Sequence, residues 1–183
     1  MAITLTKGQR VDIGLQKIGI GLGWDPAQTG EEFDLDASAF MLGANGKIPS
    51  ETFFVYYHNL KSSDGAVESS GDDRTGGSSD GDDETLSVDL SRIDTRIEQI
   101  IITVTIYEFE KRRQNFGQVR NSFIRIYDSA NGSEICKYEL DEDFSVETAV
   151  EFGRLYKRGG TWRFEAIGQA TGGGLQAYVD KYA

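Results

Sequence analysis

Between Gln99 and Tyr107 the chain reads Gln-Ile-Ile-Ile-Thr-Val-Thr-Ile-Tyr, a continuous run of apolar and β-branched residues. Branching at Cβ stiffens the side chain and suits a pleated surface, so the run predicts a strand. It is continuous enough to be central and, at its start, buried on both faces. Glu108 closes it. A strand covered on both sides needs other layers, and the rest of the chain supplies short alternating segments from which to build them. Ile3 to Thr6 and Val11 to Leu15 alternate on either side of Lys7-Gly8 and predict a leading strand or hairpin. Ile18 to Trp24 carries glycine at every second position, without the spacing of a dinucleotide-binding loop, and predicts a strand with one face against neighbouring backbone. Phe53 to Tyr57 reads as a buried strand ending at His58-Asn59, and Leu86 to Leu90 alternates. Arg120 to Tyr127 and Glu134 to Leu140 form a hairpin around Asn131-Gly132, and Asn45-Gly46 is a second turn of that kind. Thr148 to Tyr156 fits strand or helix, and Trp162 to Ile167 follows a turn at Arg158-Gly159-Gly160.

About ten strands at short spacing, with 22 Gly and 2 Pro, predict an all-β, two-sheet β-sandwich with short helices. Phe109 to Val119 reads as a short helix or structured loop. Leu175, Tyr178, Val179 and Tyr182 have the spacing of one helical face near the C-terminus. At 183 residues the expected organisation is one domain over 1–183.

Gly71 to Glu84 cannot join a core. It holds Asp72, Asp73, Asp80, Asp82, Asp83 and Glu84, has Arg74 as its only cation and contains no apolar side chain. Two carboxylates about 4 Å apart repel by roughly 4 kcal/mol at an effective dielectric near 20, so such a loop needs separation in water or a bound cation. Closely spaced oxygen ligands, with Gly to turn backbone carbonyls inward, suit Ca2+; a solvated acidic loop has the same composition. In Phe33 to Leu42, Asp34, Asp36 and Ser38 fall on one side of an extended chain, and Leu35, Ala37 and Ala39 on the other.

The formal charge of -11 argues against a phosphate-backbone partner, because nucleic-acid binding rests on a basic surface that releases counterions. The single Cys136, in an alternating segment, is expected to be a small buried strand residue rather than a reactive thiol. His58 is the only histidine and reads as a strand-end residue held by hydrogen bonds. No apolar stretch approaches the length of a membrane span, and a cytoplasmic location is expected.

Several segments together resemble the TerD family of tellurite-resistance and stress-response proteins. They are Gly21-Leu22-Gly23-Trp24-Asp25, Phe33 to Ala39, Asn59-Leu60-Lys61-Ser62 with Asp64-Gly65, Gly71 to Gly76, Asp80 to Glu84, and Asn115 to Asn121. Their order and spacing span nearly the whole chain. The resemblance implies a β-sandwich binding two or more Ca2+ ions through acidic residues on loops at one edge. It assigns the ligand role to Asp25, Asp34, Asp36, Asn59, Asp72, Asp82, Asp83 and Glu84, with Asp64, Asp80 and Glu108 as further candidates. The stretch between Gly76 and Asp80 is about one residue longer than the family pattern, and Asp73 stands where Asn is common.

The function expected on this basis is a Ca2+-binding, non-enzymatic module acting in stress response through other stress-response proteins or a membrane surface. A C2-like module, with Ca2+ bridging loop carboxylates to anionic lipid, lacks an apolar tip on the loop. A carboxylate-based hydrolase lacks an apolar surround to raise the pKa of a proton donor. No G-x-S-x-G, H-E-x-x-H or phosphate-binding loop names another chemistry.

Overall fold

The computed structural model describes residues 3–25, 35–70, 84–106, 120–140 and 147–183. In chain order the strands are β1 (Ile3–Leu5), β2 (Arg10–Ile13), β3 (Lys17–Asp25), β4 (Leu35–Leu42), β5 (Phe54–Val55) and β6 (Val67–Ser69). They continue with β7 (Glu84–Asp89), β8 (Gln99–Ile106), β9 (Arg120–Asp128), β10 (Glu134–Glu139), β11 (Ala149–Arg158) and β12 (Thr161–Thr171), and a helix, α1 (Gly174–Tyr182), follows. Two six-stranded sheets result, one in the order β1-β10-β9-β3-β7-β6 and the other β2-β12-β11-β8-β4-β5. The architecture is an all-β sandwich, as the strand spacing predicts.

The isoleucine-rich strand β8 lies inside the second sheet, between β11 and β4, and Ile100 through Ile106 are all buried. Its Ile100, Ile102, Val104 and Ile106 join Leu35, Ala37, Ala39 and Met41 of β4 in the main core, against Ile18, Ile20 and Leu22 of β3 and Leu86 and Val88 of β7. The opposite face of the second sheet is also buried. There Phe40, Leu42, Phe54, Ile101 and Ala149 pack under Tyr178 and Tyr182 of α1. The helix is pinned at both ends. The Gly174 N–H donates to Thr148 Oγ1 at 3.1 Å, and the Tyr182 hydroxyl and the Lys181 ammonium both donate to the buried Glu151 carboxylate. Burial first, and then the hydrogen bond to Glu151, push the Tyr182 phenol up, so it keeps the proton it donates.

Thr148 to Tyr156, ambiguous by pattern, is strand, and β9 and β10 are the expected hairpin, with Gly132 at φ 77° in its turn. Cys136 is fully buried, and burial pushes its thiol up to about 12, which keeps it protonated and inert at neutral pH.

Four expectations are corrected in whole or in part. The leading segments are not a hairpin: β1 pairs parallel with β10 in one sheet and β2 antiparallel with β12 in the other. Gly8, at φ 86°, turns the chain between them while its N–H donates to the Ala166 carbonyl. The Phe53 to Tyr57 strand shrinks to two residues. Glu51–Phe53 form a 3-10 turn, and Tyr56 and Asn59 exchange backbone hydrogen bonds of 3.0 and 2.9 Å that reverse the chain. His58 consequently sits exposed on that turn, in edge contact with the Tyr56 and Tyr57 rings, and no hydrogen bond to its side chain is found among the described residues. At Gly19 it is a ring, not backbone, that demands glycine, because a Cβ would lie 2.1 Å from the Tyr127 ring. The Phe109 to Val119 expectation lies outside the described residues.

β11 shifts register at Gly153 in both of its pairings, and a Cβ there would meet the Phe164 ring at 2.4 Å and the Glu165 carbonyl at 2.8 Å. Gly153→Ala is therefore expected to destabilise the fold by about 1–3 kcal/mol through overpacking. Gly14→Ala, with nothing within 4 Å of its Cβ position, should stay within about 0.5 kcal/mol. Urea unfolding of the two variants checks both values, and equal midpoints would refute the steric account. Among the described residues no helix is long and apolar enough to cross a membrane.

Candidate metal centre

The register of the two sheets gathers several strand ends into one place. In the first sheet Asp25, closing β3, lies opposite Arg120, opening β9, and Glu84, opening β7, lies opposite Leu22. In the second, Leu35 at the start of β4 faces Ile106 at the end of β8, and Thr105 faces Ala149, which in turn faces Thr171. Glu84 ties the two ends together. Its Oε2 accepts the Ala37 N–H at 2.5 Å, a carboxylate of one sheet capping a backbone donor of the other. The described flanks of segments 26–34, 71–83, 107–119 and 141–146 all meet here: Ser70 donates to the Thr85 carbonyl, and Leu140 to that of Ser122.

Two of the anticipated ligands are described at this end, and both are buried. Asp36 and Glu84 are each 4% exposed. Asp36 stands on the outer side of β4 with the fully buried Ser38, while Leu35, Ala37 and Ala39 turn to the core, as the alternation predicts. What it does not predict is that the polar side is covered. Taking a carboxylate out of water is costly unless a donor or cation meets it. Glu84 is met by the Ala37 N–H, and both carboxylates lie in the folded interior rather than on a solvated face.

Other anticipated ligands fall elsewhere. Asp64 receives hydrogen bonds from Ser62 Oγ at 2.6 Å and from the Ala66 and Asp94 N–H groups, each at 2.9 Å. Ala66 is bonded to Asp89 at the far end of β7, about 17 Å from Glu84 at the rise of a strand, so Asp64 does not meet Glu84. Asn59 lies at the sheet edge, where its Nδ2 donates to the Phe54 carbonyl at 2.8 Å. Of Asp25 the backbone position alone is described. Asp34, Asp72, Asp80, Asp82, Asp83 and Glu108 lie outside the described residues. Among the described residues no three of His, Cys, Asp and Glu group closely enough to hold a metal ion. Asp36 and Glu84 would need partners from the segments that join this end, where the remaining acidic candidates are.

Glu151 escaped the sequence reading altogether. One carboxylate in an alternating strand carries no local mark of its role, and only the docking of α1 reveals that it anchors Lys181 and Tyr182.

Comparison with known proteins adds the lineage. The TerD domain matches residues 1–182. The chain is 45% identical to Tellurium resistance protein TerD of Serratia marcescens, over 100% of this chain and 97% of that one. It is 44% identical to General stress protein 16U of Bacillus subtilis, over 100% and 97%. The fold resembles the crystal structure of a homologue of the telluride resistance protein from Streptomyces coelicolor, with a TM-score of 0.71 at 22% identity, covering 90% of this chain and 95% of that chain.

Proposed function

Because the chain belongs to the TerD family, of tellurium-resistance and stress-response proteins, we propose that it is a cytoplasmic, non-enzymatic Ca2+-binding module of stress response that acts through protein partners. The observation that carries the calcium reading is the meeting, at one end of the sandwich, of the buried carboxylates Asp36 and Glu84 with the flanks of the segments containing Asp34, Asp72, Asp80, Asp82, Asp83 and Glu108. Carboxylates brought to one place from separate loops favour a hard, large cation that accepts many oxygens in a flexible cage. They favour Mg2+ less, because it keeps its waters and demands tight octahedral geometry. Buried on strands of the two facing sheets, Asp36 and Glu84 would supply the fixed side of such a cage and the loops the adaptable side.

Calorimetric titration of the metal-stripped protein with each ion tests this. Ca2+ is expected to bind with saturable heat and Mg2+ at least tenfold more weakly. Equal affinities for the two ions, or no heat with Ca2+, would overturn the reading.

A further inference from the structure

On the side of the second sheet where β5 ends, the 3-10 turn, the Tyr56–Asn59 reversal and α1 enclose a groove of about 760 Å3, within the range of small-molecule sites. It takes no part in the proposed metal centre. An aromatic column leads into it. Phe40, under the helix, stacks on Phe54 with ring centroids 4.4 Å apart, and Phe54 stacks on Tyr56 at 4.2 Å, the planes within 11° and 5° of parallel. At Tyr56 the order changes. Tyr57 and His58 stand across it at 69° and 90°, and at 60° to each other, with centroids 4.5 to 5.8 Å apart. Ring faces therefore look in three directions around one corner, although Tyr57 is 38% exposed. Leu175 and Val179 of α1, with Ile48, form the opposite apolar wall.

The charges in the groove all have one sign. Glu51 lines it and its carboxylate has no partner among the described residues, whereas no Lys or Arg is among the lining residues. The nearby Lys47 is engaged at 3.2 Å with the Ala183 carbonyl. A chain of net charge -11 adds an attractive field for cations. An anionic ligand would meet an uncompensated carboxylate, and a neutral apolar one would use the rings but nothing of Glu51. A cation with an apolar skin uses both, because ring faces attract it through their quadrupoles and the carboxylate neutralises it. We propose that this groove is a binding site for an organic ammonium ion, held against the Tyr56, Tyr57 and His58 rings and paired with Glu51.

The test uses the full chain and two probes of the same shape, choline and its neutral isostere 3,3-dimethyl-1-butanol, with amide spectra recorded in excess chelator and again in Ca2+. Choline is expected to shift the amides of Glu51 to Asn59 and Leu175 to Val179 saturably in both conditions, and to bind at least tenfold more tightly than the isostere. Glu51→Gln should erase most of that preference, and Tyr57→Ala should abolish binding while leaving the melting temperature within a degree or two, since Tyr57 is exposed. Equal affinity for the two probes, or an absence of saturable shifts, would overturn the proposal. So would choline binding that survives Tyr57→Ala, which would put the cation on the acidic loops instead.

Discussion

Phe40→Ala should lower stability by about 3–5 kcal/mol, the range for removing a fully buried aromatic ring, and the melting temperature by roughly 6–20 °C in a domain of this size. Phe40 has no exposed surface and is the centre of the outer core: Phe54 stacks on it, Tyr182 leans on it at 5.2 Å and Tyr178 meets it edge-on at 6.5 Å. The loss should be local as well as global. Without that ring α1 keeps its polar pins to Thr148 and Glu151 but loses the surface it packs on, so the amides of Gly174 to Tyr182 should exchange faster than those of β8. Phe40→Leu, which fills most of the space, should lose much less. Thermal unfolding and hydrogen exchange measure the two effects. A shift of under 2 °C, or unchanged protection in α1, would mean that the outer core does not hold the helix.

Ca2+ should raise the melting temperature of the metal-stripped protein by about 5–11 °C at a hundredfold excess over Kd. Binding confined to the native state contributes RT ln(1 + [L]/Kd), about 2.7 kcal/mol per site at that excess, and a domain of this length gains about 2–4 °C per kcal/mol. The sign follows from linkage: an ion that binds the native state and not the unfolded chain can only stabilise the native state. Asp36→Asn and Asp82→Asn should each shrink the Ca2+-dependent shift. Asp180→Asn should not, because Asp180 is exposed on α1 and accepts a hydrogen bond from Gln176 within the helix. The quantity to compare is the shift between chelator and millimolar Ca2+, since Asp36→Asn also alters a buried site in the apo protein. A melting temperature that does not move with Ca2+ would overturn the calcium reading.

The amino-acid sequence by itself determined the character of most segments. Ile100 to Ile106 is a central buried strand because its side chains are apolar or β-branched on both faces. Asn131-Gly132 and Gly159-Gly160 turn hairpins because glycine reaches positive φ, 77° at Gly132 and 60° and 83° at Gly159 and Gly160. Leu175, Tyr178, Val179 and Tyr182 lie on one side of a helix because they recur at its period. Such signals report which side of a segment is apolar, and they act over a few residues.

Tertiary structure alone decided what each side meets. Alternation in Ile3 to Thr6 and Val11 to Leu15 predicts two strands but does not name their partners, and pairing with β10 and β12, more than a hundred residues away, sent them to different sheets. The polar side of β4 looked the same on paper whether wet or covered. Asp36 and Ser38 are buried because β8 and β11 extend the sheet beside them and this face of it is roofed over. Phe53 to Tyr57 has the composition of a long buried strand, yet hydrogen bonding between Tyr56 and Asn59 ends it after Val55 and turns Tyr57 and His58 outward. The gathering of Asp25, Asp36 and Glu84 at one end is likewise a matter of register between strands distant in the chain, which local composition does not encode.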